Sequence, residues 1–400
     1  MWRGIPGSRR EVCLFSSDSI DETIQKIINN HVSGNMGMVV YIVSEKSSDS
    51  PRLFYQTNQP IWDKSHDEVH RDDLPRLLFE IGSVTKVFTS RIFTDSYDKT
   101  IGSCMPRVPL PELIRKIPII DIETYSSGFP QDNGHPQDPR GAFCPPSALD
   151  NLSDLLTWFN HGMGSNENWI CPPGQCYTYS NLSWSMLAIA ALDPGRSEKV
   201  DIYTDYNRHL GQLCQELAMP LTALFEPNQV PHMACGYKDR IPFSTTENYQ
   251  PGSRMHFGAG GIVSCASDML RWLLYNMGRL PASNADRHLL TMQQSERRKR
   301  PRCGTTTGKC GDDEGDGAAT ALGWFLPKAT DGTATQVLSK DGGVHGFTSW
   351  MGFESWVEVG EPSRNGVVVL AAGQEASHAG KKIMEHLLGT TFETIETGHT

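Results

Sequence analysis

The residues best suited to chemistry lie in the stretch Phe79-Glu80-Ile81-Gly82-Ser83-Val84-Thr85-Lys86-Val87-Phe88-Thr89. An Ile-Gly turn delivers Ser83 to what reads as a helix start, and Lys86 follows three residues later on the same helical face, within reach of the hydroxyl. A serine hydroxyl is a poor nucleophile until a base takes its proton. A desolvated lysine can be that base, because burial disfavours its ammonium form. The unpaired backbone N–H groups of a helix start also suit an oxyanion beside the serine. Taken alone, Ser-x-x-Lys is equally the pattern of a serine N-cap followed by a solvated lysine.

Two further stretches change that balance. Tyr179-Ser180-Asn181, beginning 96 residues after Ser83, is a Tyr-x-Asn element, and Lys340-Asp341-Gly342-Gly343, beginning 161 residues after Tyr179, is a Lys-x-Gly element. With the three in this order the sequence resembles the serine β-lactamase and penicillin-binding family, whose sites combine a Ser-x-x-Lys helix, a Tyr-x-Asn or Ser-x-Asn loop and a Lys-Thr-Gly-like strand. The Tyr form of the second element resembles the class C β-lactamase branch and its esterase relatives. Three lesser phrases agree in order: Tyr125-Ser126-Ser127-Gly128-Phe129-Pro130, Gly258-Ala259-Gly260-Gly261-Ile262-Val263-Ser264 and Leu322-Gly323-Trp324-Phe325. The resemblance covers roughly residues 20 to 390.

The resemblance implies an α/β (α+β) fold of the β-lactamase/transpeptidase-like type, in which an antiparallel sheet is flanked by N- and C-terminal helices and split by an inserted helical region. It implies an acyl-enzyme on Ser83, with Lys86 beside it. Tyr179, set between two lysines and phenolate-like, would move protons from Ser83 and later from water or an alcohol. Asn181 would hold a substrate carbonyl and the Lys86 ammonium, and Lys340 would be the second cation near Tyr179. The Gly343 N–H, with that of Ser83, would form the oxyanion hole. No metal and no cofactor is expected. One departure stands out: family members usually carry a hydroxyl residue where this chain has Asp341, and a carboxylate there opposes an anionic substrate. His345, a lone histidine in a Gly-rich turn, is read as structural. The expected function is a serine hydrolase acting on an ester or amide. Transfer of the acyl group to an alcohol, and a catalytically silent binding member of the fold, are the competing readings.

The elements that must position these residues are legible in part. Ser19-Ile20-Asp21-Glu22 is a capping-box pattern ahead of Ile24, Ile27, Ile28 and Val32, which predicts a first helix. Met36 to Val43 predicts a buried strand with Leu53 to Gln56 as its hairpin partner, and 62–73 a charged loop. Between about 105 and 255 the pattern is helical with Pro- and Gly-containing loops, including helices at Asn151–Phe159 and Asn181–Leu192. After Phe257 a capped helix is expected at Ser267–Leu274, strands near Phe347–Phe353 and Gly366–Ala372, and a last helix at His378–Leu388. The expected organisation is an α/β sheet domain of 18–104 and 256–390, a helical region at 105–255, and flexible termini at 1–17 and 391–400.

A net charge of −10 argues against nucleic acid or an anionic membrane as partner, leaving a small-molecule substrate. No run approaches the length of a membrane-spanning helix. The start of the chain lacks the apolar stretch of a secretory signal, so a cytoplasmic protein with free thiols among its ten cysteines is expected. Asn181-Leu182-Ser183 is also a glycosylation sequon, and sugar on a substrate-binding asparagine would be a liability in a secreted protein. The basic run Glu296–Arg302, and Cys303 and Cys310 with their acidic neighbours, read as solvated loops rather than an import signal and a zinc site.

Overall fold

The computed structural model describes residues 17–32, 37–45, 50–57, 71–93, 98–129, 169, 171–192, 201–238, 241–243, 257–281, 290–293, 298–299, 319–333, 336–344, 346–355 and 361–393. Helix α1 (Ser17–His31) is followed by strands β1 (Gly37–Val43) and β2 (Arg52–Thr57). Strand β3 (Leu78–Glu80) leads into a 3-10 turn, Gly82–Val84, and helix α2 (Thr85–Ile92). Three short helical turns, Ile101–Cys104, Glu112–Arg115 and Ile119–Glu123, precede α3 (Asn181–Ala190) and α4 (Ile202–Glu216). Then come β4 (Ala223–Leu224), β5 (Gly236–Lys238), β6 (Ile241–Phe243), a helical turn at Phe257–Gly260, β7 (Ile262–Cys265) and α5 (Ala266–Asn276). The last elements are β8 (Arg298–Lys299), β9 (Ala319–Ala321), β10 (Trp324–Phe325), β11 (Val337–Val344), β12 (Phe347–Glu354), β13 (Gly366–Ala372) and α6 (Ala376–Leu388).

Eight strands form one antiparallel sheet in the order β2-β1-β13-β12-β11-β10-β9-β8. Its two faces bury different cores. Along β1, Met38, Val40 and Ile42 pack with Ile24 and Ile28 of α1 and Ile383 and Leu387 of α6, while Val39 and Val43 join the core around α2. Strand β13 alternates likewise, with Val367, Val369 and Ala371 on the first face and Val368, Leu370 and Ala372 on the second. Burial on both faces is why these strands read as unbroken apolar runs. Each fully buried Ile contributes about 1.5–3 kcal/mol relative to exposure, which is what holds helices from opposite ends of the chain to one sheet.

Helix α2 lies inside the second core, with Thr85 to Ser90 all buried. Phe88 stacks on Trp272 of α5, centroids 4.0 Å apart. The polar residues of the buried helix are satisfied: Thr85 Oγ1 accepts from Ile262 N at 3.2 Å, and Thr89 Oγ1 donates to Gly258 O at 2.6 Å. Just before α2, Ile81 N donates to Ile262 O at 3.1 Å, and Ser349 Oγ of β12 donates to Ile81 O at 2.7 Å. Strand β11 presses on the same turn. A Cβ on Gly342 would lie 2.1 Å from Ile81 O and 3.0 Å from Ser83 N, and one on Gly82, whose φ is +49°, would lie 2.7 Å from Gly343 N. Only glycines allow these two backbones to meet.

Several expectations need correction. Of the two readings of Ser83 it is the N-cap alternative that does not hold, since Ser83 sits in the 3-10 turn and α2 begins at Thr85. Ser267 does not cap α5 either, because its hydroxyl donates to Pro75 O at 2.9 Å and the cap position belongs to Cys265. Among the described residues three short strands occur within 105–255, and β4 pairs with β7, tying that region to the later part of the chain. Arg298 and Lys299 form β8 at the sheet edge rather than a loop. Beyond α6 the chain stays packed: Phe392 is buried, and its N–H donates to Glu385 Oε1 at 3.1 Å. Cys176 is disulfide-bonded, against the expectation of free thiols, whereas Cys214 and Cys265 are free thiols. The helix at Asn151–Phe159, most of the loop at 62–73, the Cys303–Cys310 segment and His345 lie outside the described residues. No helix among the described residues is long and apolar enough to cross a membrane.

The pressed contact between β11 and the Ser83 turn yields a prediction. Gly342→Ala is expected to lower stability by about 1–3 kcal/mol in urea unfolding, since the added methyl meets backbone on one side and Ser349 Oγ on the other. A variant as stable as wild type would mean the two backbones are not held together.

Candidate active site

Ser83 is 4% exposed, and its Oγ receives two hydrogen bonds, from Lys86 Nζ at 2.9 Å and from the Tyr179 hydroxyl at 2.7 Å. Lys86 has no solvent exposure. Beyond Ser83 its ammonium donates to Asn181 Oδ1 at 2.7 Å and to Ala259 O at 2.8 Å. It also stands 4.8 Å from the centroid of the Tyr179 ring. Three acceptors from three chain segments thus match the three protons of an ammonium.

Tyr179 and Asn181 reach the site from either side of a capped helix start. Ser180 is the N-cap of α3, its Oγ accepting from Ser183 N at 3.0 Å. The loop ahead of it is fastened to the segment after the turn Ile119–Glu123: Thr178 N donates to Tyr125 O and Gly174 N to Ser126 O, both at 2.7 Å. Tyr125 stacks against the Tyr179 ring, centroids 5.4 Å apart and planes 11° from parallel.

Lys340, expected to be the second cation, is fully buried on β11. Its ammonium donates to Asp341 O at 2.6 Å and to Asp341 Oδ1 at 3.1 Å. It lies 5.6 Å from the Tyr179 ring centroid and 4.9 Å from that of Phe325. Burial pushes this ammonium below its usual range, and the Asp341 carboxylate draws it part of the way back. The cation is therefore turned onto its neighbour. Asp341 itself remains 17% exposed at its side chain.

Burial holds the Glu123 carboxyl well above the usual carboxylate range, with a hydrogen bond from Ser90 Oγ at 2.7 Å opposing it, and burial raises the Tyr125 phenol likewise. Among the described residues no group of three His, Cys, Asp or Glu could hold a metal ion.

Five expected side chains, Ser83, Lys86, Tyr179, Asn181 and Lys340, thus converge, and the Gly343 amide abuts the Gly82-Ser83 backbone. Sequence reasoning missed three contributors: the Ala259 carbonyl, the Tyr125 ring and the Phe325 ring. All lie in the three lesser phrases, but a carbonyl and two apolar ring faces carry no chemical signature of their own. Chemically, the arrangement offers a hydroxyl nucleophile, a phenol that can exchange a proton with it, two fixed cations and adjoining backbone N–H groups.

A mutant class C β-lactamase is similar over 94% of this chain and 99% of its own, at 18% identity and a TM-score of 0.66. A class C β-lactamase in complex with cefoxitin is similar over 93% and 98%, at 17% identity and a TM-score of 0.65. A β-lactamase/D-alanine carboxypeptidase from Pseudomonas syringae is similar over 93% and 98%, at 19% identity and a TM-score of 0.65. No curated protein matches the chain. At such identities the structural likeness speaks for the fold; the family follows from a family model described as Beta-lactamase, which matches residues 53–387. The chain therefore belongs to the β-lactamase family, as a β-lactamase-related serine hydrolase.

Proposed function

We propose that this protein cleaves an ester or amide through an acyl-enzyme on Ser83. The observation that carries the reading is the convergence of the Lys86 ammonium and the Tyr179 hydroxyl on the single oxygen of Ser83. Lys86 faces three acceptors and so acts as an ammonium, which leaves proton transfer to Tyr179. The two ammonium groups beside the tyrosine ring stabilise negative charge developing on its oxygen.

In the forward step Tyr179 acts as its phenolate: Ser83 Oγ attacks the substrate carbonyl as its proton passes to the Tyr179 oxygen, and the phenol so formed delivers that proton to the departing alcohol or amine, which regenerates the phenolate. The amides of Ser83 and Gly343 take the carbonyl oxygen as it becomes an oxyanion, and the Asn181 amide group holds the substrate. Water, activated by the same tyrosine, completes hydrolysis. An alcohol in place of that water would make the protein an acyltransferase. A cytoplasmic site of action fits the free thiols of Cys214 and Cys265 but not the Cys176 disulfide.

Asp341 sets the substrate class. A carboxylate at about 4 Å repels a substrate carboxylate by roughly 1 to 4 kcal/mol, depending on the local dielectric. The Lys340 ammonium, which would otherwise receive that carboxylate, is already bonded to Asp341. Neutral esters are therefore preferred to penicillins and cephalosporins.

Two outcomes are expected. Intact protein incubated with p-nitrophenyl esters gains an acyl mass that Ser83→Ala does not, and an adduct persisting in that variant removes Ser83 from the nucleophile's role. Asp341→Thr raises kcat/KM for nitrocefin relative to a neutral ester, about tenfold for each 1.4 kcal/mol of repulsion relieved. Efficient nitrocefin turnover by wild type would contradict the role given to Asp341.

A further inference from the structure

Tyr125 takes no part in the reaction as described, yet four independent features tie it to Tyr179. It is 1% exposed, and its ring is the middle member of a parallel column. Tyr179 lies on one side at 5.4 Å and 11°, and Phe325 on the other at 5.1 Å and 12°. Its φ of +54° is in the left-handed region, which a bulky side chain rarely occupies unless its surroundings hold it there. Its hydroxyl donates to Gly323 O, and its carbonyl accepts from Thr178 N in the loop that carries Tyr179, both at 2.7 Å.

The flanking residues are fastened too. Gly323 N donates to Glu123 O at 2.7 Å, and Thr320 Oγ1 donates to Thr124 O at 2.9 Å. The segment Glu123–Tyr125 is thus bonded both to the β9–β10 turn and to the Tyr179 loop. At its end stands a ring that lies flat against the Tyr179 phenol.

We infer that Tyr125 is a positioning residue for catalysis: its ring is a platform that fixes the plane of the Tyr179 phenol and keeps the phenolic oxygen on Ser83 Oγ. The phenolic oxygen is at the far end of a side chain with two rotatable bonds, so a small tilt of the ring breaks its 2.7 Å bond to Ser83. Misplacement of a reacting group by about 1 Å is worth on the order of 10²-fold in rate. The stack also carries its own orientation preference, because parallel offset rings attract. The inference rests on the proton-transfer role proposed for Tyr179.

The test is a double-mutant cycle read by acylation with p-nitrophenyl acetate. Tyr125→Leu is expected to lower kcat by about 10- to 100-fold with KM changed less than about threefold, whereas Tyr125→Phe, which keeps the ring, stays within about threefold of wild type. In a Tyr179→Phe background, where no phenolic oxygen remains to be aimed, Tyr125→Leu should lower the rate by less than about twofold. An equal loss in both backgrounds, or a Tyr125→Phe as slow as Tyr125→Leu, would overturn the inference. If Tyr125→Leu fails to fold by circular dichroism, Phe325→Leu removes the support from beneath the platform and should give the same background dependence with a loss of about 3- to 10-fold. A wild type that gains no Ser83 adduct would instead defeat the proposed function, so the two failures are distinguishable.

Discussion

An ammonium group with no access to water must find an acceptor for each proton, and Lys86 is such a group. Leaving a buried charge short of a partner costs several kcal/mol. Its three acceptors come from the turn before α2, the first residue of α3 and the helical turn Phe257–Gly260. Those three segments are fixed relative to one another by a single point of charge. The arrangement of Ser83 and Asn181 follows from it, as does the burial of α2 among apolar side chains that exclude water from the point.

The second lysine meets the same constraint differently. Lys340 has one carboxylate, one carbonyl and two ring faces around it, and the carboxylate belongs to the next residue in its own strand. A hydroxyl residue in that position would leave the cation open to a substrate anion. On the proposed reading, Asp341 closes that option while the Ser83, Lys86 and Tyr179 contacts stay in place, so that one residue would change the substrate without touching the nucleophile. The aromatic column of Tyr179, Tyr125 and Phe325 links the two lysines, since its end members are the rings over which Lys340 sits.

What the sequence revealed follows from what leaves a local mark. The apolar runs of β1 and β13 and the helical spacing of α1 and α6 come from burial repeated along one element, so they are legible residue by residue. The Ser83 and Lys86 spacing is legible because one helical turn brings them together. The strands β4, β8, β9 and β10 are two or three residues long, too short for any periodicity, and exist through their partners alone. Ala259 contributes a carbonyl that any residue would possess. The Cys176 disulfide could not be read because cysteine spacing does not determine pairing. Ser267 shows the opposite failure, where a strong capping signal yields to a tertiary partner at Pro75.

The central claim is that Ser83, Lys86 and Tyr179 act as one unit on one proton. It is tested most directly by the single-turnover rate of Ser83 acylation in Lys86→Ala, Tyr179→Phe and the double variant. Each single substitution should slow acylation by at least about 10²-fold, and the double variant should lose much less than the product of the two. Full activity in Tyr179→Phe, or losses that multiply without interaction, would contradict the account.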